Sequence, residues 1–281
     1  PVGGTEKSVQ SITMNDIKDY FNENISPQVS HFHVAGKMTQ RSIEKSLKQL
    51  SQNWVGSDVE IPEIKTSKPP VRSQVYFIDI PGAKQSAITL GTLSIPGGNP
   101  ELYKYSVVNN RLGGGMEARL MRTLRLEKGY TYGAGSFFRE NSYQTPFYAY
   151  SQVRSNVTLE SLEIFKNIIN SYAESYNSED LELTKNKLIK QNALRFERLG
   201  SLLNMLDTIS KFNFPDTYIQ EQQDVLRSMN LEDAKSIAQS EFNADKMYFV
   251  VAGDAKTQLS RIKELGYGNP IMLDREGNTI K

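Results

Sequence analysis

The chain has 281 residues, 38% hydrophobic and 23% charged, enough for one large domain or two ordinary ones with a real core. Its 33 Lys+Arg against 32 Asp+Glu leave a net charge of +1, so bulk electrostatics favours neither nucleic acid nor an anionic membrane. Cysteine is absent, which excludes disulfides, thiolate zinc sites and thiol nucleophiles and leaves the compartment undecided. No apolar run approaches the roughly 20 residues of a helical membrane span, and no signal peptide opens the chain at Pro1.

In chain order, the first elements form a unit that recurs. "TMNDIKDYFNENISPQVSHFHVAGK" (13–37) aligns without a gap on "NLEDAKSIAQSEFNADKMYFVVAGD" (230–254), an offset of 217. Asp16/Asp233, Phe32/Phe249 and Val34-Ala35-Gly36/Val251-Ala252-Gly253 are identical. Each copy reads as a polar-capped helix, a loop, a strand ending at glycine, and a second helix, at about 39–51 and 256–265. Residues 1–65 are therefore expected to be the tail of a preceding homologous repeat, and 66–281 a complete domain.

Pro62, Pro69 and Pro70 mark an extended linker. Strands are predicted over 73–80 and 85–95, with Pro81-Gly82 between them, and a helix over about 99–111. A second helix is expected over about 116–127, then a strand pair in "TYGAGSFFRE" and "TPFYAYSQVR". Helices follow at 159–176, 178–199, 201–212 and 216–228, then a strand at 246–253 and a short one in "PIMLD". Strands, a helical block and strands again predict an α+β fold, a mostly antiparallel sheet covered on one face by helices.

"RLGGGMEARLMRTLRLEKGYTYGAG" (111–135) carries the most information. It is neither G-x-G-x-x-G after a strand nor G-x-x-x-x-G-K-[ST], so it is no nucleotide fingerprint. Gly113, Gly114 and Gly115 read as a turn or hinge between two helices, with close backbone packing. On the second helix Met116, Leu120 and Leu124 are expected in the core, and Arg119, Arg122 and Arg125 form a row at i, i+3, i+6.

That stretch resembles the motif of the pitrilysin/insulinase superfamily of inverted zincins, which includes the mitochondrial processing peptidases. "VVAGD" (250–254) is similar to the family's strand-end motif, and "PGAKQSAITLG" looks like the start of its second, non-zinc half. The resemblance covers about residues 13–281; one departure is an extra residue in Leu124-Arg125-Leu126-Glu127-Lys128, where the family has Leu-Arg-Glu-Lys.

The family's chemistry needs H-x-x-E-H on a helix and a distal Glu. Here the only histidines are His31 and His33, two apart on the predicted strand, with no acidic third ligand near them in sequence. No metal is therefore expected on this chain. The resemblance implies zinc on a partner half, upstream in the same polypeptide or on a separate subunit. It further implies that this half encloses and positions a peptide substrate, with Arg125 and Tyr132 reaching toward it. A guanidinium and a phenol can hydrogen-bond substrate carbonyls and a developing oxyanion. The alternative is a non-catalytic homologue acting as a polypeptide-binding or scaffold subunit. Neither reading involves nucleic acid or a membrane span.

Overall fold

Period-two burial builds the sheet. In a computed structural model describing residues 3–280, β1 (Gln74–Asp79) buries Val75 and Phe77 and leaves Tyr76 and Ile78 half-buried. β2 (Gln85–Ser94) buries Ser86, Ile88 and Leu90 and turns Ala87, Thr89 and Gly91 the other way. The helices α4 (Leu102–Gly113) and α5 (Arg119–Met121) then lead through a π-helical turn, Arg122–Glu127, into β3 (Thr131–Phe138) and β4 (Thr145–Arg154). β4 buries Phe147, Ala149, Ser151 and Val153, so Tyr148, Tyr150, Gln152 and Arg154 stand on the opposite face. Such alternation is that of a sheet covered on one side only.

The helices α6 (Thr158–Asn170), α7 (Tyr172–Ser175), α8 (Ser178–Arg195), α9 (Leu199–Phe212), α10 (Tyr218–Ser228) and α11 (Leu231–Glu241) follow, then β5 (Tyr248–Gly253), α12 (Ala255–Ile262) and β6 (Ile271–Leu273). Strand order is β3-β4-β2-β5-β1-β6. Three pairings (β3–β4, β4–β2, β2–β5) are antiparallel, and β1 pairs in parallel with β5 and β6, so the sheet is mostly antiparallel, within an α+β fold. β1 and β2 are consecutive, yet β5 lies between them.

The core lies between the sheet and α4, α6, α11 and α12. Val107, Val108, Leu112, Leu162, Phe165 and Ile169 are fully buried there, each worth about 1.5–3 kcal/mol of transfer free energy. Phe242 gathers Phe147 and Tyr172 around it at centroid distances of 5.2 and 5.4 Å.

The chain divides into two compact units: residues through Lys65 with Asn192–Pro215, and Thr66–Gln191 with Asp216–Lys281. The smaller unit contains α1 (Glu6–Ser11), α2 (Met14–Asn24), α3 (Gln40–Asn53) and α9. The offset of 217 recurs in its geometry: α2 and α11 start and end at equivalent residues, and so do the 3-10 turns Pro27–Val29 and Ala244–Lys246. Thr13 with Asp16 and Asn230 with Asp233 close identical capping boxes, because the same side-chain chemistry satisfies the first free N–H groups of each helix. Burial differs. Ala234, Ala238 and Phe249 are fully buried, whereas their equivalents Ile17, Phe21 and Phe32 are 54%, 51% and 65% exposed.

Several expectations are corrected. The segment 31–36 carries no strand: β5 is hydrogen-bonded between β1 and β2, and its counterpart has no such neighbours among the described residues of its unit. The helix expected over 116–127 starts only at Arg119, so Met116 precedes it and is exposed, while Leu120 and Leu124 are in the core. The first helix of the pair ends at Gly113 instead of 111, and the helix expected over 178–199 ends at Arg195, with the one expected from 201 starting at Leu199.

Candidate functional site

The glycine turn is built by close approach. A Cβ on Gly113 would lie 2.1 Å from the Ser136 backbone nitrogen, so only glycine lets α4 meet β3 this closely. Beside it Asn109 Nδ2 donates to Ser136 O at 2.9 Å and Ser136 Oγ donates back to Asn109 Oδ1. Gly114 N closes on Asn110 O, and Gly115 has φ +138°, in the left-handed region. Lys187 Nζ, from α8, donates to Gly114 O at 3.1 Å and to Asn110 Oδ1 at 3.0 Å. Burial, helped by the Arg111 charge, holds the Lys187 ammonium below its ordinary range.

Beyond the turn the arginine row breaks up. Arg119 donates to the Ser175 hydroxyl, to Ser175 O and to Asp180 Oδ2 and lies over the Tyr172 ring, while Arg111 Nε donates to Asp180 Oδ1 at 2.9 Å. Those arginines anchor the helical layer. Arg122 pairs with Glu127 five residues on, the spacing of a π-turn, and both are exposed, so the pair adds little. The π-turn accommodates the additional residue seen in the sequence: Lys128 N reaches Thr123 O, Tyr130 N reaches Leu124 O, and Leu126 is left exposed. Arg125 makes one weak contact, Nη1 to Met116 Sδ at 3.6 Å. Tyr130 packs on the core, whereas Tyr132 is 88% exposed and has no hydrogen-bond or ring partner among the described residues. Arg125 and Tyr132 are both left available and make no direct contact with each other.

Tyr132 stands at the rim of the uncovered sheet face. There a concavity of about 530 Å³ is lined by Tyr132, Tyr150, Thr89, Ala87 and Gln152. Through Gln85, Ala87 and Gln152 it continues into one of about 750 Å³ beside Lys84 and Arg154. Through Thr89 it meets another of about 500 Å³ between Tyr148, Tyr248 and Pro70. Together they form a trough with Lys84 and Arg154 at one end and Lys68 at the other, and no acidic side chain among the described residues lines any of the three. Its aromatic members escaped the sequence reading; the signal was the period-two tyrosines of "TPFYAYSQVR", on the face opposite the buried residues.

A zinc ion does not fit the described residues. His31 and His33 stack at 6.2 Å, and His33 Nε2 is 2.9 Å from Ser210 Oγ. Among the described residues no group of three or more His, Cys, Asp or Glu could hold a metal. No helix among them is long and apolar enough to cross a membrane.

The fold and site define a mixed α/β domain with one open, aromatic sheet face and no metal ligands among the described residues. Residues 11–188 match the family described as peptidase M16 inactive domain, and the chain belongs to that family. Among curated proteins it is 23% identical over 261 residues to the "non-peptidase homolog YmxG" of Helicobacter pylori, covering 90% of this chain and 58% of the relative. It is 22% identical over 253 residues to the "uncharacterized zinc protease YmxG" of Bacillus subtilis, covering 87% and 59%. The chain thus spans less than two thirds of the length of these relatives. A peptidase M16 inactive domain from Pseudomonas fluorescens has the same fold, with a TM-score of 0.80, 23% identity and coverage of 89% of this chain and 60% of that one.

Proposed function

We propose that the chain encloses and positions a polypeptide for hydrolysis by a separate zinc-bearing half, upstream in the same polypeptide or on another subunit. The observation that carries this reading is the open sheet face: a trough long enough for extended peptide, with Tyr132 unpartnered at its rim. Arg125 and Tyr132 are the residues assigned to the substrate, one guanidinium and one phenol that spend no hydrogen bond on the core. Gly113, Gly114 and Gly115 set the start of the helix that carries Arg125. Residues 1–65 are read as the tail of a preceding repeat and 66–281 as the peptidase-like domain, supported by the matching caps of α2 and α11.

A second reading, a polypeptide-binding scaffold whose partner half is also inactive, is favoured by one relative's name as a non-peptidase homologue. Tyr132→Phe and Arg125→Ala in the intact protein separate the two. In a peptidase each is expected to cut turnover tenfold or more with the melting temperature unchanged; in a scaffold wild type shows no turnover, and each variant weakens peptide binding. Wild-type kinetics and wild-type binding from both variants would remove these residues from the site. The 281-residue chain alone is expected to hold no stoichiometric zinc, and metal analysis showing one tightly bound zinc per chain would contradict the assignment of zinc to the other half.

A further inference from the structure

The trough contains a slot the width of one side chain. Gly91 on β2 is in register with Tyr148 on β4 and with Tyr248 on β5, so a glycine separates two tyrosines on the open face. Two strand spacings put the tyrosine backbones roughly 10 Å apart, which leaves space for one aromatic ring between theirs. Tyr148 leans toward Gly91, its Cδ1 3.4 Å from where a Cβ would be, and is braced by Phe137 at 5.6 Å. Tyr248 turns edge-on to Tyr76 at 5.4 Å. Both rings are thus backed from outside the slot, and its floor is the Gly91 backbone, partly covered on one side by the Tyr148 ring.

Its rim is held as well. The Gln144 side chain pairs with both backbone groups of Ser67, accepting from Ser67 N at 3.0 Å and donating to Ser67 O. That clamp fixes the linker, so Pro70 closes one end of the slot and Lys68 stands exposed at its edge. The other cations, Lys84 and Arg154, lie at the Gln85 end of β2. Gln85 and Gly91 are six residues apart along the strand, roughly 20 Å. No carboxylate among the described residues lines the trough, and with Asp254 partly balancing Lys84 at one end, Lys68 and Arg154 leave its charge complementary to an acidic ligand.

We propose that the Gly91 slot seats a large apolar side chain, Phe above all, of an extended acidic polypeptide, with one carboxylate beside it at Lys68 and others about six residues away at Lys84 and Arg154. This rests on the reading of the open face as a polypeptide site and adds which polypeptide it selects. A flat glycine merely shielded by a tyrosine would account for Tyr148 but not for a second, outward-braced ring or for the clamped linker.

Fluorescence anisotropy on the 281-residue chain tests this with three labelled decapeptides: a central Phe among Glu residues, the same with Ser for Phe, and the same with Lys for Glu. The Phe/Glu peptide is expected to bind at least tenfold tighter than either control, about 1.4 kcal/mol. Tyr248→Ala should bring the Phe and Ser peptides within twofold of one another, and Lys68→Glu, on an exposed linker residue, should narrow the preference for Glu over Lys. Equal affinity for the three peptides, or a Phe preference that survives Tyr248→Ala, overturns the slot and leaves the polypeptide-binding reading standing. Binding of none of them by folded protein overturns both.

Discussion

Gly113→Ala tests whether the glycine turn is a packing requirement. The added methyl would lie 2.1 Å from Ser136 N, 2.2 Å from Ser136 Oγ and 2.7 Å from the Gly135 carbonyl carbon, two of them backbone atoms of an established strand. α4 and β3 must therefore separate by more than about 1 Å, an overpacking cost of about 1–3 kcal/mol. Separation also strains the two Asn109–Ser136 hydrogen bonds, worth about 1 kcal/mol each. A total near 3–5 kcal/mol corresponds to a fall in melting temperature of roughly 10 °C for a domain of this size. Gly133→Ala is the control: no atom lies within 4 Å of its Cβ position and its φ is outside the left-handed region, so stability should hold or rise by about 0.5 kcal/mol. Circular dichroism melts of both variants decide it. If Gly113→Ala melts with wild type, the close approach of α4 to β3 is not what demands glycine there.

Asp180→Ala should be among the most damaging changes in the larger unit. It strips the shared carboxylate from Arg111 and Arg119, whose side chains are only 21% and 23% exposed, at a cost of about 3–5 kcal/mol; a urea midpoint equal to wild type would refute this. Burial pushes the Glu241 carboxyl above the ordinary carboxylate range, against the opposing hydrogen bond from Ser94 Oγ. A raised folded value favours the protonated form, so that contribution is complete below about pH 4 and is lost as pH rises through the raised value. Glu241→Gln should therefore gain on wild type as pH rises above the ordinary carboxylate range, and a difference in stability independent of pH would rule the assignment out.

The alternation in "SQVYFIDI" and "TPFYAYSQVR" made β1 and β4 legible, because a one-sided sheet writes its two faces into successive residues. The caps at Thr13 and Asn230 were legible for a similar reason: capping is local chemistry. Three features were not. The insertion of β5 between β1 and β2 is a pairing across some 170 residues, which no local pattern encodes. The π-turn follows from how one extra residue distributes its hydrogen bonds, and the late start of the helix at Arg119 took Met116 out of the row of Leu120 and Leu124. The Asp180 cluster and the Gly91 slot join residues from different elements, and single-element periodicity is blind to such meetings. His31 and His33 show the converse: their strand pattern is present, but a strand needs neighbours to bond to.

The place of β5 also bears on the order of events during synthesis. β1 ends at residue 79 and β2 at residue 94, yet what must join them, Tyr248–Gly253, is translated some 150 residues later. At about 5–20 residues per second the two half-sheets wait on the order of ten seconds with apolar edges unpaired. The three-stranded β2–β4–β3 unit can form in that interval, whereas β1 cannot be fixed until its central neighbour arrives. The nascent chain thus exposes a vacant strand position from the end of β2 until β5 is made, an interval in which a chaperone or a competing strand could bind.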